Sequence, residues 1–231
     1  MTIWFVLIVC AYLLGSVPTS YLAGKLRGID LRQHGTTQVG GGNLWRMTSW
    51  KLGLPVGIID FSKGLVMVWV AQLQGLDVAQ QIAVGLAAIA GHNWPVFLRF
   101  HGGRGVGTTV GILSILPFIN DMTPWPSVAF WAILVIGRLI LGSSPLPVLA
   151  GLMAAPIVSH VFLEPLSVTL GFLAICLVIV IKRLTAQPSA ETISISTGRL
   201  LLNRFLFDRD ISDKKVWMYR KHIAQQEPWE D

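Results

Sequence analysis

The stretch IWFVLIVCAYLLGSVPTSYL, residues 3–22, carries no charged residue and is long enough to cross a lipid bilayer as a helix. It lacks the basic start and the small-residue cleavage site of a signal peptide, so we predict that it is the first transmembrane helix. Across all 231 residues, 53% are hydrophobic and only 13% are charged, and the mean hydropathy is +0.62. Soluble domains usually carry about twice that charged fraction. The composition therefore argues against a soluble enzyme, a disordered chain or a coiled coil, and predicts an integral membrane protein.

Six further apolar stretches follow and bring the number of predicted membrane helices to seven. They cover residues 54–73, 82–100, 106–118, 128–141, 146–162 and 166–181. Several are shorter than the roughly 20 residues that a full span needs. Gly, Pro, Ser and Thr interrupt them, as is typical of helices that tilt, break or pack around a cavity. We predict an all-α, polytopic membrane fold with about seven transmembrane helices.

The basic residues predict the orientation of these helices. If the N-terminus is outside, every Lys and Arg except Lys63 falls in an inner connection, at the inner end of a span (Arg99 and Arg138) or after the last span, while the outer connections hold Asp77, Asp121 and Glu164. Basic loops stay in the cytoplasm. We therefore expect a multi-pass protein of the cell inner membrane with a cytoplasmic C-terminus. The same loops account for the net charge of +6 without a nucleic acid partner.

The composition becomes polar and charged near Pro188. We predict a transmembrane domain over residues 1–187 and a cytoplasmic, amphipathic and charged tail over residues 188–231. Within the tail, RLLLNRFLF at residues 199–207 predicts a short amphipathic helix. It could lie on the inner leaflet or pack against the loops, and both alternatives stay open. The charged residues beyond Asp208 are expected to be solvated.

Two inner connections combine glycines with an arginine and are the candidate site of chemistry. They read HGTTQVGGGNLWR at residues 34–46 and FHGGRGVGTT at residues 100–109. Glycines let main-chain amides approach an anion closely, and each arginine adds a planar fork that suits phosphate. Neither loop matches the nucleotide-binding pattern GxxxxGK[ST]. Taken alone, the first loop could be a flexible connection and the second a basic membrane anchor. Because both loops are predicted on the same face of the membrane, an anion site is favoured.

Three polar residues lie within the apolar segments. Asp60 and Lys63 have a spacing that places them on one face of a helix, where they could form a structural ion pair or take part in catalysis. His92 precedes Pro95 and could brace a kink or serve the site. We predict structural or supporting roles for all three.

Other kinds of site are not indicated. Cys10 and Cys176 lie inside apolar runs, no HExxH or GxSxG motif occurs, and helix capping accounts for Ser143 and Ser144. We therefore predict no metal and no cofactor. The sequence does not define an oligomeric state.

Four segments together resemble the bacterial acyl-phosphate glycerol 3-phosphate acyltransferases, the PlsY family. They are GSVPTSYLAGKLRGIDLRQHG, GGGNLWR, DFSKG and GHNWPVFLRFHGGRGVGT, in matching order over roughly residues 13–117. The resemblance implies seven transmembrane helices with an external N-terminus. It also implies transfer of a fatty acyl group from acyl phosphate to the 1-hydroxyl of glycerol 3-phosphate among membrane lipids, which gives lysophosphatidic acid. The proton acceptor implied for that reaction is a phosphate oxygen of the substrate.

The first loop resembles the family's SGNxGATN motif position by position. Thr36 stands at its serine, Gln38 at its first asparagine and Gly42 at its threonine, and Asn43 keeps its final asparagine. Arg46 matches an arginine that contacts phosphate in the family. In the second loop, Arg104 stands where the family has the lysine of GGKG.

The loops and the resemblance together assign the candidate site. The candidate catalytic residues are Thr36, Asn43, Arg46, Arg104 and Ser144. The candidate phosphate-binding residues are Gly40, Gly41, Gly42, Gly102, Gly103 and Gly105.

The third motif of the family is incomplete in this chain. IKRL is present at residues 181–184, but residues 177–180 supply neither the expected His nor the expected Asn. One alternative is therefore a catalytically weak homologue that binds lipid precursors or partner proteins. A small permease for phosphorylated solutes is a further alternative, disfavoured because the cationic groups lie on one face.

Overall fold

The computed structural model describes residues 2–186 and 195–219. Over these residues the chain is helical, with no strand, which confirms the predicted all-α class. The helices are α1 (Thr2–Ser16), α2 (Thr19–Lys25), α3 (Gly41–Met47), α4 (Trp50–Leu73), α5 (Val78–Asn93), α6 (Val106–Ile119), α7 (Trp125–Leu141), α8 (Pro145–Val161), α9 (Leu166–Leu184), α10 (Thr197–Phe207) and α11 (Lys214–Tyr219). The predicted domain boundary at residues 187 and 188 lies outside the described residues.

Each predicted span coincides with helical structure, and the two largest differences lie in the first and the third span. The first span breaks between α1 and α2, where Pro18 lacks the amide that a continuous helix needs. The third span ends at Asn93, because Pro95 follows and a 3-10 turn over Val96–Leu98 replaces the predicted end of that helix. Three segments of the described chain are long and apolar enough to cross a membrane: Thr2–Lys25, Trp50–Leu73 and Leu166–Leu184. The total of seven spans and their orientation stay predictions.

The centre of the bundle is α5, which packs against α1, α4, α6 and α9. Its Ile89 is fully buried in a core shared with Val68 of α4, Ile112 of α6 and Ile175 of α9. Helices α7 and α8 pair with each other and join this core through Phe130. In a bilayer such contacts stabilise the fold by close packing of side chains.

Glycines set the closest helix crossings. A side chain at Gly64 of α4 would overlap the backbone of Thr108 in α6, and one at Gly111 of α6 would overlap the backbone of Phe61. Gly91 of α5 has the same relation to Tyr12 of α1. Small residues at an interface allow helix backbones to approach closely. The α4–α6 crossing thereby holds the start of α6 beside the middle of α4.

The C-terminal segment, residues 195–217, folds back onto the bundle. Arg183 of α9 donates to the carbonyl of Phe205 at 3.0 Å, and Arg204 of α10 donates to the carbonyl of Leu184 at 3.0 Å. Helix α10 thus packs against the helices, while Leu201 and Leu202 on its outer surface stay exposed. This helix packs against α8 and α9, and its place on the inner leaflet stays a prediction.

The prediction that the charged residues beyond Asp208 are solvated is wrong for Asp210, and Trp217 is buried as well. Asp210 and Trp217 are 1% and 6% exposed. Asp210 is buried because Arg204 pairs with it at 2.6 Å, which compensates the charge. The C-terminal segment is therefore part of the folded structure.

The α4–α6 crossing gives a stability prediction. We expect Gly64→Ala to lower the free energy of unfolding by about 1–3 kcal/mol, because the added methyl group meets backbone that cannot yield cheaply. Thermal unfolding in detergent micelles measures this change. The matched control is Gly198→Ala in α10, where open space surrounds the glycine and stability should not fall. Equal stability of the two variants would contradict the close crossing.

Candidate active site

Both glycine-rich connections line one cavity of about 420 Å³. The first contributes Thr36, residues 38–43, Trp45 and Arg46, and the second contributes Arg104 and Gly105 ahead of α6. The other walls come from α4, from the connection between α7 and α8, and from the C-terminal segment. The two loops predicted to bind anions therefore meet at a single site.

The cavity wall is strongly cationic. Among the described residues that line it, the Lys and Arg side chains are Arg46, Arg104, Arg138, Arg183, Arg209 and Lys214. The carboxylates on the same wall are Asp60 and Asp208. An excess of positive charge around one cavity favours binding of a ligand that carries more than one negative charge.

Sequence reasoning assigned only two of these cations to the site. Arg138 and Arg183 were visible in the sequence, in the third inner connection and in IKRL, as basic residues of the inner face. Arg209 and Lys214 reach the cavity because the C-terminal segment folds back, and no local motif signals that.

Arg46 lies at the open edge of the cavity. Its Nη1 donates to the carbonyl of Gly42 one helical turn earlier, at 3.2 Å. Burial, together with the nearby Arg138 guanidinium, lowers the pKa of Arg46 from its usual value, although an arginine remains cationic at neutral pH. Two neighbouring guanidinium groups are expected to bind an anion between them, because the anion relieves their repulsion.

Arg104 is held from two sides. Its Nη1 donates to the carbonyl of Lys182 at 3.0 Å, and its Nε lies 2.7 Å from Oδ1 of Asp208. Its neighbour Gly105 has a φ of 68°, a left-handed conformation that starts α6 at Val106. The side chain is 15% exposed, so its charge lies in a poorly hydrated environment.

The predicted glycines divide into two groups. Gly40, Gly41, Gly42 and Gly105 line the cavity. Gly41 and Gly42 belong to α3 and not to a loop, and Gly41 packs closely on Gly53 of α4.

Gly102 and Gly103 lie behind the cavity wall. A side chain at Gly102 would overlap the carbonyl of His92 and the ring of Pro95, and one at Gly103 would overlap the imidazole of His92. These two glycines therefore allow the second loop to pack on the end of α5. Their predicted contact with phosphate stays a prediction.

Asn43 organises the first loop. Its Nδ2 donates to the carbonyls of Leu31, His34 and Gln38 at 3.0–3.3 Å, and its Oδ1 accepts from the amide of Thr36 at 3.0 Å. The side-chain amide is consequently occupied by the loop itself. This geometry shows that Asn43 shapes the loop, and its predicted role as a donor to substrate stays a prediction.

The hydroxyls of Thr36 and Ser144 are placed differently from Asn43. Oγ1 of Thr36 is buried at the cavity and has no hydrogen-bond partner among the described residues. Ser144 lines the cavity at the N-terminus of α8 without making a side-chain capping bond, so the capping explanation for Ser144 is wrong. Both hydroxyls can serve a bound ligand.

Asp60 and Lys63 form the buried ion pair that their spacing predicts, with Nζ 2.8 Å from Oδ1. Lys63 also donates to the carbonyl of Val17 at 2.6 Å, where the first span breaks, and Thr19 donates to Asp60 at 2.7 Å. Nδ1 of His92 lies 3.7 Å from Asp60, while its Nε2 side abuts Gly103. These contacts agree with supporting roles.

Apolar helices around a cationic, glycine-walled cavity define a helical membrane protein with a site for anionic ligands. A family model described as glycerol-3-phosphate acyltransferase matches residues 5–187. The chain therefore belongs to the glycerol-3-phosphate acyltransferase family, which confirms the resemblance.

Curated relatives agree with this assignment. Glycerol-3-phosphate acyltransferase 4 of Dehalococcoides mccartyi (strain CBDB1) is 37% identical over 232 residues, which cover 97% of each chain. Glycerol-3-phosphate acyltransferase 2 of Moorella thermoacetica is 41% identical over 57% of this chain and 64% of its own length. Since the first match covers 97% of this chain, it continues beyond residue 187 into the C-terminal segment.

Two solved structures share the fold. One is the glycerol 3-phosphate form of PlsY, an integral membrane glycerol 3-phosphate acyltransferase, with a TM-score of 0.71 and 29% identity over 87% of this chain and 93% of that chain. The lysophosphatidic acid form has a TM-score of 0.69 and 26% identity over 89% and 97% of the two chains. This chain therefore has the fold of that integral membrane enzyme.

Asn43 and Thr36 give opposite predictions. Asn43→Ala should lower the free energy of unfolding by about 1–3 kcal/mol, because it leaves buried loop groups unpaired. Thr36→Val should keep stability within about 0.5 kcal/mol but reduce turnover at least about tenfold, because it removes a free hydroxyl from the site. Thermal unfolding and product formation are measured on the same preparations. A destabilised but fully active Thr36→Val would reverse the two assignments.

Proposed function

We propose that this protein transfers a fatty acyl group from acyl phosphate to the 1-hydroxyl of glycerol 3-phosphate at the cytoplasmic face of the inner membrane, and that the product is lysophosphatidic acid. One observation carries the proposal: Arg46 and Arg104, from two separate glycine-rich connections, line the same cavity. Membership of the glycerol-3-phosphate acyltransferase family supports the acceptor and the product.

The reaction requires two anions to approach each other. The acceptor hydroxyl oxygen forms a bond to the acyl carbon, the bond from that carbon to the phosphate oxygen breaks, and inorganic phosphate leaves. Acyl phosphate is an activated anhydride, so the protein needs no strong nucleophile. Its task is to neutralise two phosphates and to align the hydroxyl with the acyl carbon.

The cavity residues divide this task. Arg46 and Arg104 bind the phosphates, with the amides of Gly40 to Gly42 as further donors. The hydroxyls of Thr36 and Ser144 stabilise the oxyanion and the leaving phosphate. Asn43 contributes by holding the first loop in shape.

The proton of the attacking hydroxyl goes to a phosphate oxygen of the substrate. The carboxylates of the described cavity wall support this choice, because Asp60 is paired with Lys63 and Asp208 with Arg104. The imidazole of His92 lies between Asp60 and Gly103, so its nitrogens are directed at protein groups. In this proposal a phosphate oxygen of the substrate therefore takes the proton.

The acyl chain enters from the lipid. Leu54 of α4, Val106 of α6 and Val148 of α8 supply apolar side chains to the cavity wall. A fatty chain that lies along these helices brings its carbonyl carbon to the cationic loops without leaving an apolar environment.

The donor is tested directly with purified protein. Palmitoyl phosphate and labelled glycerol 3-phosphate should give lysophosphatidic acid, whereas palmitoyl-CoA at the same concentration should give none. Thin-layer separation of the labelled product measures both reactions. Binding of glycerol 3-phosphate without any product would support the alternative of a catalytically weak homologue, and product from the thioester would refute the donor assignment.

Arg104 provides a sharper test of the site. Arg104→Ala should abolish measurable transfer, since the cation for a phosphate is lost, while the protein stays folded by thermal unfolding. Arg27→Ala is the matched control, because Arg27 is exposed and outside the cavity, and its activity should equal that of the wild type. Normal turnover by the Arg104 variant would rule out the assigned role.

A further inference from the structure

The C-terminal segment reaches the active site through Asp208. Oδ1 of this residue is 2.7 Å from Nε of Arg104, and its Oδ2 accepts from Nε2 of Gln38 at 3.3 Å. Gln38 also donates to the backbone carbonyl of Asp208 at 3.3 Å. One carboxylate outside the matched family region therefore connects both glycine-rich connections.

The backbone places Asp208 for these contacts. It follows the last residue of α10 with φ 54° and ψ 40°, and its amide donates to the carbonyl of Arg204 at 3.0 Å. Asp and Asn tolerate this left-handed conformation better than other residues with a side chain. The turn ends α10 and directs the chain along the cavity toward Arg209.

Hydrogen bonds from three basic side chains hold the C-terminal segment in place on either side of Asp208. Arg183 and Arg204 hold α10 on α9, as described above, and Nζ of Lys214 donates to the carbonyl of Gly142 at 2.8 Å. The Asp208 side chain is only 10% exposed. Its carboxylate is therefore part of a built wall and not the end of a loosely attached tail.

We propose that Asp208 is a positioning residue that orients the guanidinium of Arg104 for substrate phosphate. The inference rests on the proposed function of the site. It adds that the C-terminal segment takes part in substrate binding. Asp208 acts through Arg104 and does not contact the reacting atoms.

The hydrogen-bonding capacity of Arg104 supports this role. A guanidinium has five N–H donors in a fixed plane. The Lys182 carbonyl accepts one proton of Nη1, and the ion pair with Asp208 at 2.7 Å holds the Nε side of the guanidinium by charge, which leaves four protons for an anion in the cavity. A long side chain held in this way loses less rotamer freedom when the substrate binds.

Charge supports the same role. Arg104 lies close enough to Lys182 and Arg183 for repulsion among the three cations, and Asp208 attracts both neighbours. Without the carboxylate, the guanidinium would be free to move away from the other two charges.

A competing role is that Asp208 occupies the phosphate position as an internal anion. The contacts favour positioning, because both carboxylate oxygens and the backbone carbonyl of Asp208 are engaged by Arg104 and Gln38. An anion that must leave at each turnover would break all of these contacts.

The test is a double-mutant cycle on the full chain, with kcat/KM for glycerol 3-phosphate as the readout and palmitoyl phosphate as donor. Asp208→Asn keeps the shape and the left-handed turn but removes the charge, and it should lower kcat/KM about tenfold, with KM raised. Arg104→Lys keeps a cation but lacks the planar fork that Asp208 orients. In that background Asp208→Asn should change kcat/KM by less than about twofold, because residues that act together are not additive.

Asp213→Asn is the matched control, the same substitution at an exposed residue of the same segment, where asparagine can still cap α11. It should leave kcat/KM unchanged. An equal loss from Asp208→Asn in both backgrounds would overturn the proposal, since that is the result of a general effect on folding. A lower KM in Asp208→Asn would overturn it in favour of an internal anion.

The cycle also separates this inference from the proposed function. If the wild type makes no product from palmitoyl phosphate, the proposed reaction fails. The same four proteins then report binding of glycerol 3-phosphate by calorimetry, where coupling between Asp208 and Arg104 supports positioning and its absence overturns it.

Discussion

The buried pair of Asp60 and Lys63 is the interaction on which the rest of the site depends. A charge inside an apolar bundle is tolerated only when it is paired and hydrogen-bonded. Here the pair also joins α4 to its neighbours. Lys63 donates to the carbonyl of Val17 where the first span breaks, and Thr19 of α2 donates to the Asp60 carboxylate. Thr108 of α6 donates to the backbone carbonyl of Asp60, and His92 of α5 lies beside the carboxylate. The glycine-rich turn before α6 in turn packs on His92. The pair of Asp60 and Lys63 therefore holds together the elements on this side of the cavity, because neither charge can stay unpaired inside the apolar bundle.

Above that floor, the site concentrates positive charge where connections meet. The cations come from parts of the chain far apart in sequence, from α3 to the C-terminal segment. Such an arrangement is unfavourable when empty, because like charges repel at low dielectric, and it becomes favourable when phosphates enter. The protein meets part of that cost with Asp208 and with carbonyl acceptors such as those of Gly42 and Lys182. In the proposed reaction, an activated anhydride needs little more than this arrangement of charges.

The sequence predicted the features that depend on composition and local pattern. Apolar runs located α1 and α4 to α9, most of their ends within a few residues, and the paired glycines and arginines identified both walls that carry Arg46 and Arg104. It did not predict contacts that depend on tertiary packing. Gly102 and Gly103 resemble phosphate-binding glycines in sequence, yet they lack side chains because α5 approaches them. Asn43 has the chemistry of a donor, but three nearby carbonyls occupy it. The charged chain beyond Asp208 gave no sign of burial, because the pairing of Arg204 with Asp210 requires the fold.

The cavity has both apolar and cationic walls, and this determines from which solvent each reagent can reach it. Leu54 and Val148 give the cavity an apolar wall, and Leu54 is also exposed on the helix surface, whereas the glycine-rich connections offer amides and guanidinium groups. A water-soluble reagent and a lipid-soluble one can thus meet while each stays in its own solvent. The reaction takes place at a phase boundary, and its amphiphilic product is formed already oriented, with its head toward water and its tail among the lipids.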